Sequence, residues 1–187
     1  MYVLFEGFDR AGKSSTIDFL KNKFKPSVVL HSDTLLGISL PSLRDKVSPE
    51  VLYMLFWQAI RETDLKVEEC LNNRVNVLVD RGFMSNIAYS YHIDSNFKTT
   101  MDDIYLRKCI KPDLILYFSV SYNAFLRRAK EERVDLSFYS NVVDGYNRLI
   151  SKLKGLGYTI YEIDGDKLLS QVYEDAFLAI EKYRRTL

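Results

Sequence analysis

The sequence predicts a three-layer α/β domain in which a five-stranded parallel sheet is flanked by helices. Short apolar segments alternate along the chain with longer amphipathic ones, which is the pattern of parallel strands joined by helices. The short segments are rich in Val, Ile, Leu and aromatic residues with little polar alternation, as in strands buried on both faces. Because 187 residues suit one domain, we assign residues 1–187 to a single domain.

Five segments have the composition of buried strands, and the segments between them have the periodicity of helices. The predicted strands are Tyr2–Glu6, Ser27–Leu30, Val75–Val79, Leu114–Val120 and Tyr158–Ile163. The predicted helices span residues 14–25, 49–72, 85–92, 100–110, 122–131, 137–154 and 167–184. Ser48, Pro49 and Glu50 mark the start of the second helix, because they supply an N-cap, a first-turn proline and an early acid.

Composition and charge argue against several classes of function. The net charge is +1, from 26 basic and 25 acidic residues, whereas a general nucleic-acid surface needs a basic excess. No apolar run approaches the roughly 18 residues of a membrane span, and the N-terminus lacks a secretory signal. Cys70 and Cys109 have no metal-type spacing and suit free thiols. We therefore predict a cytoplasmic protein that binds neither nucleic acid nor membrane.

The strongest local motif lies between the first strand and the first helix. Residues 7–14 read GFDRAGKS and fit the phosphate-loop pattern G-x-x-x-x-G-K-[ST] at every fixed position. The glycines let backbone N–H groups turn toward phosphates, and the helix N-terminus adds positive potential. On an exposed loop, Lys13 would bridge the β- and γ-phosphates, and the Ser14 hydroxyl would ligate Mg²⁺. The predicted ATP-binding residues of this loop are Gly7, Phe8, Asp9, Arg10, Ala11, Gly12, Lys13, Ser14 and Ser15.

Two charged residues inside the loop exceed what the motif requires. Asp9 and Arg10 stand where a second substrate would face the γ-phosphate. A carboxylate there can accept a hydrogen bond from a sugar hydroxyl, and a guanidinium can follow charge onto the transferring phosphoryl group. Charges at a loop tip also serve solubility alone, so the residues by themselves leave both interpretations open.

Four segments, in order along nearly the whole chain, resemble the thymidylate kinase family. Phe5–Ser15 resembles that family's phosphate loop, in the version with an arginine inside it. Asp80–Tyr89 is similar to its D-R-Y-x-x-S-x-x-A-[YF] signature, and Lys111–Leu114 resembles the lead into its fourth strand. Phe138–Tyr146 resembles the helix after its lid. The resemblance implies a P-loop kinase fold and a nucleoside monophosphate as the phosphoryl acceptor.

The resemblance also implies roles for individual residues. Asp9 would hold the sugar 3′-hydroxyl of the acceptor, and Arg10 would be the catalytic arginine. Arg81 would contact the acceptor phosphate and join Lys13 and Arg10 in catalysis. Asp80 would belong to the magnesium shell with Ser14.

Further residues match positions that line the family's two substrate sites. Ser85 and Tyr89 would line the acceptor pocket, and Arg128 would lie against adenine. A short lid would span residues 128–137 or thereabouts. The family also carries an aromatic residue followed four positions later by arginine, and Trp57 and Arg61 fit that spacing. Residues i and i+4 share a helix face, so an indole could cover the base while Arg61 reaches the phosphate. Trp57 lies in a run that is apolar nearly all round, so core or dimer packing is an equal alternative.

Two departures from the family pattern concern the acceptor site. Where the family usually has T-R-E-P-G after the second strand, this chain has His31–Leu35, without the basic residue that helps clamp the acceptor phosphate. Arg44 from the following segment could replace it. Gly82 stands where the family signature has tyrosine. Both departures leave the ATP site unchanged.

These observations predict a nucleoside monophosphate kinase that uses ATP and Mg²⁺. The first expectation for the acceptor is dTMP, and the resemblance implies a homodimer, which the apolar helix near residues 49–60 favours. A deoxynucleoside kinase is the near alternative, because it shares the phosphate loop and the acid–arginine pair. A nucleotide-binding regulator with little turnover is the alternative from another class.

Overall fold

The computed structural model describes residues 1–129 and 134–186, and it confirms the three-layer α/β architecture. The strands are β1 (Tyr2–Gly7), β2 (Ser27–His31), β3 (Thr34–Leu35), β4 (Ile38–Ser39), β5 (Asn76–Asp80), β6 (Leu114–Ser119) and β7 (Ile160–Asp164). The helices are α1 (Lys13–Leu20), α2 (Pro49–Asn72), α3 (Phe83–Tyr89), α4 (Ser95–Leu106), α5 (Tyr122–Ala129), α6 (Leu136–Gly155) and α7 (Leu169–Arg184). A 3₁₀ helix at Leu40–Leu43 precedes α2.

The main sheet has five parallel strands in the order β2-β5-β1-β6-β7. Every residue of β1 is buried, and β5 and β6 flank it on either side. The carboxyl ends of these strands meet at one edge, where ligands bind in open parallel sheets. The phosphate loop begins at Gly7, the last residue of β1, and the Asp80–Arg81 pair begins at Asp80, the last residue of β5. The topology therefore brings both sequence motifs to the same edge.

The predicted helix and strand types agree with the structure, and the largest differences lie at element boundaries. The start of α2 is as predicted: the Ser48 side chain accepts a hydrogen bond from the Val51 N–H, and Pro49 lies in the first turn. The α4 helix begins earlier than predicted, because Asp94 caps it by accepting hydrogen bonds from the N–H groups of Asn96 and Phe97.

The sequence reasoning missed a short antiparallel hairpin between β2 and α2. Its two strands, β3 and β4, have two residues each, which is too short for a periodic pattern. Leu36 and Gly37 turn the chain with φ values of 50° and 79°. The hairpin and the 3₁₀ helix together carry the chain from the edge of the sheet to the start of α2.

The predicted lid at about residues 128–137 includes residues 130–133, which lie outside the described residues. On either side, α5 ends at Ala129 and α6 begins at Leu136. The lid and the single-domain assignment stay predictions. Among residues 1–129 and 134–186, no helix has the length and apolar character needed to cross a bilayer.

Candidate active site at the carboxyl edge of the sheet

Two glycines shape the turn of the phosphate loop. Gly7 has φ 135°, and a Cβ there would lie 2.2 Å from the carbonyl oxygen of Phe118 on the neighbouring strand. Gly12 has φ 96° and forms the N-cap position of α1. Because a side chain would clash or be strained at these positions, glycine is required. The loop between them can therefore close around a phosphate at the helix N-terminus.

Lys13 is buried within the loop, so the expectation of an exposed lysine is wrong. Its side chain is 5% exposed, and Nζ donates hydrogen bonds to the carbonyl oxygens of Gly7 (2.9 Å) and Phe8 (2.6 Å). The loop supplies carbonyl partners that compensate for the loss of water around the amine. Burial lowers the pKa of Lys13 to about 7. Phosphate oxygens placed beside this amine would restore its charge.

Ser14 and Asp80 lie together and offer oxygen atoms suited to Mg²⁺. The Ser14 hydroxyl donates a hydrogen bond to Asp80 Oδ2 at 2.9 Å, and His31 Nδ1 lies 3.9 Å from the same oxygen. Asp80 Oδ1 is buried without a hydrogen-bond partner among the residues that the structure describes. Mg²⁺ in phosphotransferases takes few protein ligands and completes its shell with water and phosphate. This pair fits that role, and the described part of the chain has no cluster of three or more His, Cys, Asp or Glu residues.

The phosphate loop opens onto a cavity of about 510 Å³, which we call the phosphate-loop cavity. Arg128 and Lys167 contribute positive charge to its lining, and Leu169 and Val172 lie beside the loop, 3.6 and 3.7 Å from the position of a Cβ at Gly12. The other lining residues are Asp9, Arg10, Ala11, Gly12, Lys13, Ser14, Ser15, His31, Asp33, Asp80, Arg81 and Gly165. The lining therefore combines positive charge suited to polyphosphate with apolar surface beside the loop.

A second cavity of about 530 Å³ lies beside the first, against α2 and α3; we call it the α2 cavity. Its walls combine aromatic and aliphatic side chains with as many polar and charged ones. Its lining residues are Asp9, Ser32, Asp33, Pro41, Arg44, Pro49, Leu52, Tyr53, Phe56, Ile60, Arg81, Gly82, Ser85, Asn86, Tyr89, Ser90, His92 and Phe138. Asp9, Asp33 and Arg81 line both cavities and so mark their junction.

Arg81 stands at this junction and is held on several sides. Its Nη1 donates hydrogen bonds to the carbonyl oxygen of Gly7 and to Ser85 Oγ, both at 3.1 Å. Its Nη2 forms an ion pair with Asp9 Oδ1, and the guanidinium lies 5.4 Å from the centre of the Tyr89 ring. The Tyr89 hydroxyl donates to Asp9 Oδ2 at 3.2 Å. The structure thus brings four predicted site residues together at the boundary between the cavities.

The buried carboxyl group of Glu6 accepts a hydrogen bond from Ser85, one of the residues at this junction. Ser85 Oγ donates to Glu6 Oε2 at 2.5 Å, and the Tyr146 hydroxyl lies 2.8 Å from Ser85 Oγ. Glu6 is fully buried, and this burial raises the pKa of its carboxyl. Glu6 Oε1 has no hydrogen-bond partner within the described residues. Ser85 therefore links the wall of the α2 cavity to a buried polar network in β1 and α6.

Trp57 and Arg61 do not line the α2 cavity, and their assignment as substrate contacts stays a prediction. Trp57 is fully buried and stacks on Tyr105 with 4.9 Å between ring centroids. Arg61 Nη1 donates to Asp64 Oδ2 at 2.9 Å and to the carbonyl oxygen of Lys108 at 2.5 Å. Both side chains face the α4 side of α2, where they join the core and secure the segment after α4.

The face of α2 that lines the cavity is displaced by one residue from the predicted face. Phe56 and Ile60 keep the same four-residue spacing and both line the α2 cavity. Because one residue turns a helix by about 100°, Phe56 and Trp57 point in different directions. Two adjacent aromatic residues satisfy the local pattern equally well, so the spacing alone does not choose between them. Four residues after Phe56 this face of the helix carries Ile60, whereas the arginine that matches the family spacing is Arg61.

Two polar residues of the α2 cavity have a bearing on what it can bind. Arg44, which the sequence raised as a possible replacement for the missing basic residue, lines the cavity. Asn86, which was not predicted, donates from Nδ2 to the carbonyl oxygen of Tyr53 at 3.2 Å. Asn86 Oδ1 is buried without a partner among the described residues. Its position, one residue after Ser85 in the signature, was the available signal.

Gly82, which stands where the family signature has tyrosine, packs against β1 and also lines the α2 cavity. A Cβ at Gly82 would lie 3.0 Å from Leu4 Cδ1 and 3.5 Å from Glu6 Oε1. A side chain in this position would start toward β1 rather than into open space. The glycine therefore lets the backbone of residue 82 line the α2 cavity close to the sheet.

Arg10 and Arg128 contact each other across the phosphate-loop cavity. Arg10 Nη1 donates to the carbonyl oxygen of Arg128 at 3.3 Å. Arg128 Nη1 donates to the carbonyl oxygen of Arg10 at 3.0 Å, and Nη2 donates to that of Gly165 at 2.7 Å. Phe8 lies beneath this loop, where it packs against Tyr89 and Phe125, so its ring faces the core.

The fold and the site define a P-loop nucleotide-binding protein with a second cavity, lined in part by aromatic residues, beside the phosphate loop. The thymidylate kinase family model matches residues 5–173. The chain therefore belongs to the thymidylate kinase family.

Individual relatives agree with this assignment along the length of the chain. The chain is 24% identical to thymidylate kinase from Francisella philomiragia over 97% of this chain and 98% of that protein. It is 32% identical to thymidylate kinase from Campylobacter concisus over 70% of this chain and 71% of that protein. A solved structure of thymidylate kinase from Candida albicans has the same fold, with a TM-score of 0.75 and 22% identity. The similarity covers 97% of this chain and 91% of that one.

Proposed function

We propose that this chain transfers the γ-phosphoryl group of ATP to dTMP, giving ADP and dTDP. The observation that carries the proposal is the pair of adjacent cavities that share Asp9 and Arg81. One cavity is lined by the phosphate loop, and the other offers aromatic walls beside it. Phosphoryl transfer needs two substrates in line and charge stabilisation between them, with no covalent nucleophile from the protein. Membership of the thymidylate kinase family supports the same reaction.

The phosphate-loop cavity is the ATP site in this proposal. Lys13 would bridge the β- and γ-phosphates, and Arg10 would follow charge onto the transferring group. Ser14 and Asp80 would hold Mg²⁺, which neutralises phosphate charge when bound. Arg128 would lie on the adenine side of this site. The buried position of Lys13 and the Ser14–Asp80 pair support these roles.

Leu169 adds apolar surface to the ATP site. It lines the phosphate-loop cavity with Gly165 and is 46% exposed, whereas Val172 beside it is buried. An adenine ring would bury apolar surface there, while its phosphates reached the loop. The residues of Asp164–Asp166 alone indicate a turn, the family resemblance implies an adenine-side loop there, and the position of Gly165 in the cavity lining supports that role.

The α2 cavity is the acceptor site. Asp9 would accept a hydrogen bond from the sugar 3′-hydroxyl, with Tyr89 beside it. Arg81 would bind the acceptor phosphate, and Arg44 would take the place of the basic residue missing after β2. Two guanidinium groups near one cavity favour a phosphorylated acceptor over a nucleoside, because guanidinium geometry matches phosphate oxygens.

Base recognition rests on Phe56 and Asn86. Phe56 supplies an aromatic surface in the α2 cavity for a pyrimidine ring. Asn86 Oδ1 is a buried acceptor that lacks a partner in the described part of the chain. Thymine offers an N3–H donor, whereas cytosine offers an acceptor at that position and would leave both groups unsatisfied. Ser85 completes this wall.

We extend the proposal to a cytoplasmic homodimer. The free cysteines Cys70 and Cys109 suit a reducing compartment. Val51 and Met54 lie exposed on α2 and could meet a second copy. Light scattering should then give twice the 21.8 kDa of one chain, and a mass of one chain at working concentration would contradict this part.

A coupled assay of ADP release tests the proposed reaction. With ATP and Mg²⁺, we expect release to depend on added dTMP and to stop when EDTA removes the metal. Lys13→Ala should abolish turnover at saturating ATP, because it removes charge that stabilises the transferring phosphoryl group. Release at the same rate without dTMP, or full activity of the variant, would contradict the proposal.

A further inference from the structure

Arg128 contacts backbone on two separate segments and is itself contacted in return. It lies in the last turn of α5, and its guanidinium donates to the carbonyl oxygens of Arg10 and Gly165 at 3.0 and 2.7 Å. The Arg10 guanidinium donates to the carbonyl oxygen of Arg128 at 3.3 Å. Charged donors make stronger hydrogen bonds than neutral ones. One side chain therefore joins α5, the phosphate loop and the turn after β7.

The Arg10 backbone needs such support because its conformation is unfavourable for its residue type. Arg10 has φ 60°, in the left-handed region that residues with a Cβ enter only at a cost. Strained residues keep their conformation when surrounding contacts determine it. The bond from Arg128 to the Arg10 carbonyl is such a contact, and it acts on the main chain rather than on the side chain.

The turn at Gly165, whose carbonyl accepts a hydrogen bond from Arg128, packs closely against the phosphate loop. A Cβ at Gly165 would lie 2.6 Å from the carbonyl oxygen of Ala11 and 2.5 Å from that of Ser119. The Gly165 N–H donates to the Ser119 carbonyl at 2.8 Å. The Ser121 N–H, just before α5, donates to Asp166 Oδ1 at 2.8 Å. The turn is therefore attached to α5 at both ends of that helix.

We propose that Arg128 is a positioning residue for Arg10: it holds the backbone of Arg10 in the conformation that directs the guanidinium to the transferring phosphoryl group. This inference rests on the proposed function, since it assigns Arg10 to the chemical step. It is separate from a role against adenine, which would use the face of the guanidinium, whereas this contact uses the Nη1 and Nη2 donors on protein carbonyls. The consequence is an effect on turnover that passes through Arg10.

Steady-state kinetics of Arg128→Ala and Arg128→Lys, with Arg127→Ala as the matched control, test the proposal. Arg127 is the exposed basic neighbour in the same turn of α5, so its loss removes an equal charge. We expect Arg128→Ala to lower kcat about 10- to 100-fold, as misplacement of a reacting group does, with KM for ATP changed less than about threefold. In Arg128→Lys the amine can reach one of the two carbonyl groups, so its kcat should lie between those of the wild type and Arg128→Ala. Arg127→Ala should keep the wild-type kcat.

A double variant separates positioning from an independent contact. If Arg128 acts through Arg10, then Arg10→Ala and the double variant Arg10→Ala/Arg128→Ala should have the same kcat within about twofold. Multiplied losses in the double variant would overturn the proposal. So would an Arg128→Ala enzyme with normal kcat and a raised KM for ATP, which is the signature of a binding residue.

Backbone amide exchange of residues 8–12 gives a readout that needs no activity. We expect faster hydrogen exchange in this loop for Arg128→Ala than for Arg127→Ala, because the first variant alone loses the bond to the Arg10 carbonyl. Equal exchange in the two variants would overturn the proposal. A wild-type protein without dTMP-dependent turnover, but with this exchange difference, would instead reject the proposed function and retain the contact.

Discussion

Phe56 and Trp57 are adjacent aromatic residues of α2 that meet different surroundings. Trp57 is fully buried and forms a stacked pair with Tyr105 and an edge contact with Tyr53. Phe56 lines the α2 cavity. The first ring contributes to the stability of the fold, and the second offers surface to a ligand. Substitution at the two positions should therefore affect different measured quantities.

We expect Phe56→Ala to raise KM for dTMP several-fold with a small change in melting temperature. Base–aromatic stacking is worth about 1–3 kcal/mol in nucleic-acid systems. Trp57→Ala should instead lower the free energy of unfolding by about 3–5 kcal/mol, because it leaves a large cavity in the core. Urea unfolding and acceptor kinetics on both variants check this. A stable Trp57→Ala with a raised KM, beside a neutral Phe56→Ala, would return Trp57 to the site.

Glu6 is a carboxyl group buried in β1 beneath the site. Its burial raises the pKa of the carboxyl above the ordinary value of 4.5, although the hydrogen bond from Ser85 opposes this shift. In the pH range just above 4.5, the folded state then binds more protons at this group than the unfolded state does. The contribution of Glu6 to stability therefore falls as the pH rises through this range.

We expect Glu6→Gln to remove this pH dependence. Relative to the variant, the wild type should lose free energy of unfolding as the pH rises above about 4.5, since Glu6, unlike glutamine, must ionise in a buried place. Urea unfolding of both proteins at a series of pH values measures the difference. A difference between them that is constant with pH, or that grows in favour of the wild type, would contradict the assignment of a raised pKa.

At the scale of elements, the segment between β2 and α2 carries the largest departure from the family pattern. The β3–β4 hairpin and the 3₁₀ helix occupy this segment, and Arg44 follows them at the edge of the α2 cavity. The same cavity contains Ile60 where the cavity face of α2 could have offered a basic residue. In the proposed acceptor site, Arg44 of this segment would supply the positive charge that the cavity face of α2 lacks.

We expect Arg44→Ala to raise KM for dTMP about tenfold or more while leaving KM for ATP unchanged, because one charged hydrogen bond to phosphate is lost. Lys46→Ala is the matched control, since Lys46 is an exposed cation two residues later that does not line the cavity. Initial rates over a matrix of ATP and dTMP concentrations separate the two KM values. Equal behaviour of both variants would remove Arg44 from the acceptor site.

Features that depend on local backbone geometry could be predicted from the sequence, and features that depend on tertiary contacts could not. The Ser48 cap and the phosphate-loop glycines depend on local backbone geometry, so their sequence signals are direct. The burial of Lys13 depends on how the loop curls around the amine, which the motif does not specify. The choice between Phe56 and Trp57 depends on where α4 packs, which is a tertiary contact.

At the scale of the whole molecule, the order of the strands assembles a site from distant parts of the chain. The β5-β1-β6 arrangement places Asp80 and Arg81 beside the phosphate loop, and β7 brings Gly165 to its other side. The sequence identified both motifs, and the parallel topology explains why they meet. The contact of Arg128 with Arg10 spans 118 residues and depends on the packing of α5. No local pattern records such a contact.

The most direct test of the account is a comparison of acceptors under identical conditions. With ATP and Mg²⁺, we expect kcat/KM for dTMP to exceed that for dCMP, AMP and thymidine by at least about 100-fold, since an unsatisfied buried acceptor or a vacant phosphate clamp costs several kcal/mol. The products, dTDP and ADP, should form in equal amounts by chromatography. A preference for thymidine would make the chain a nucleoside kinase, and a preference for AMP, or no turnover with any acceptor, would contradict the account.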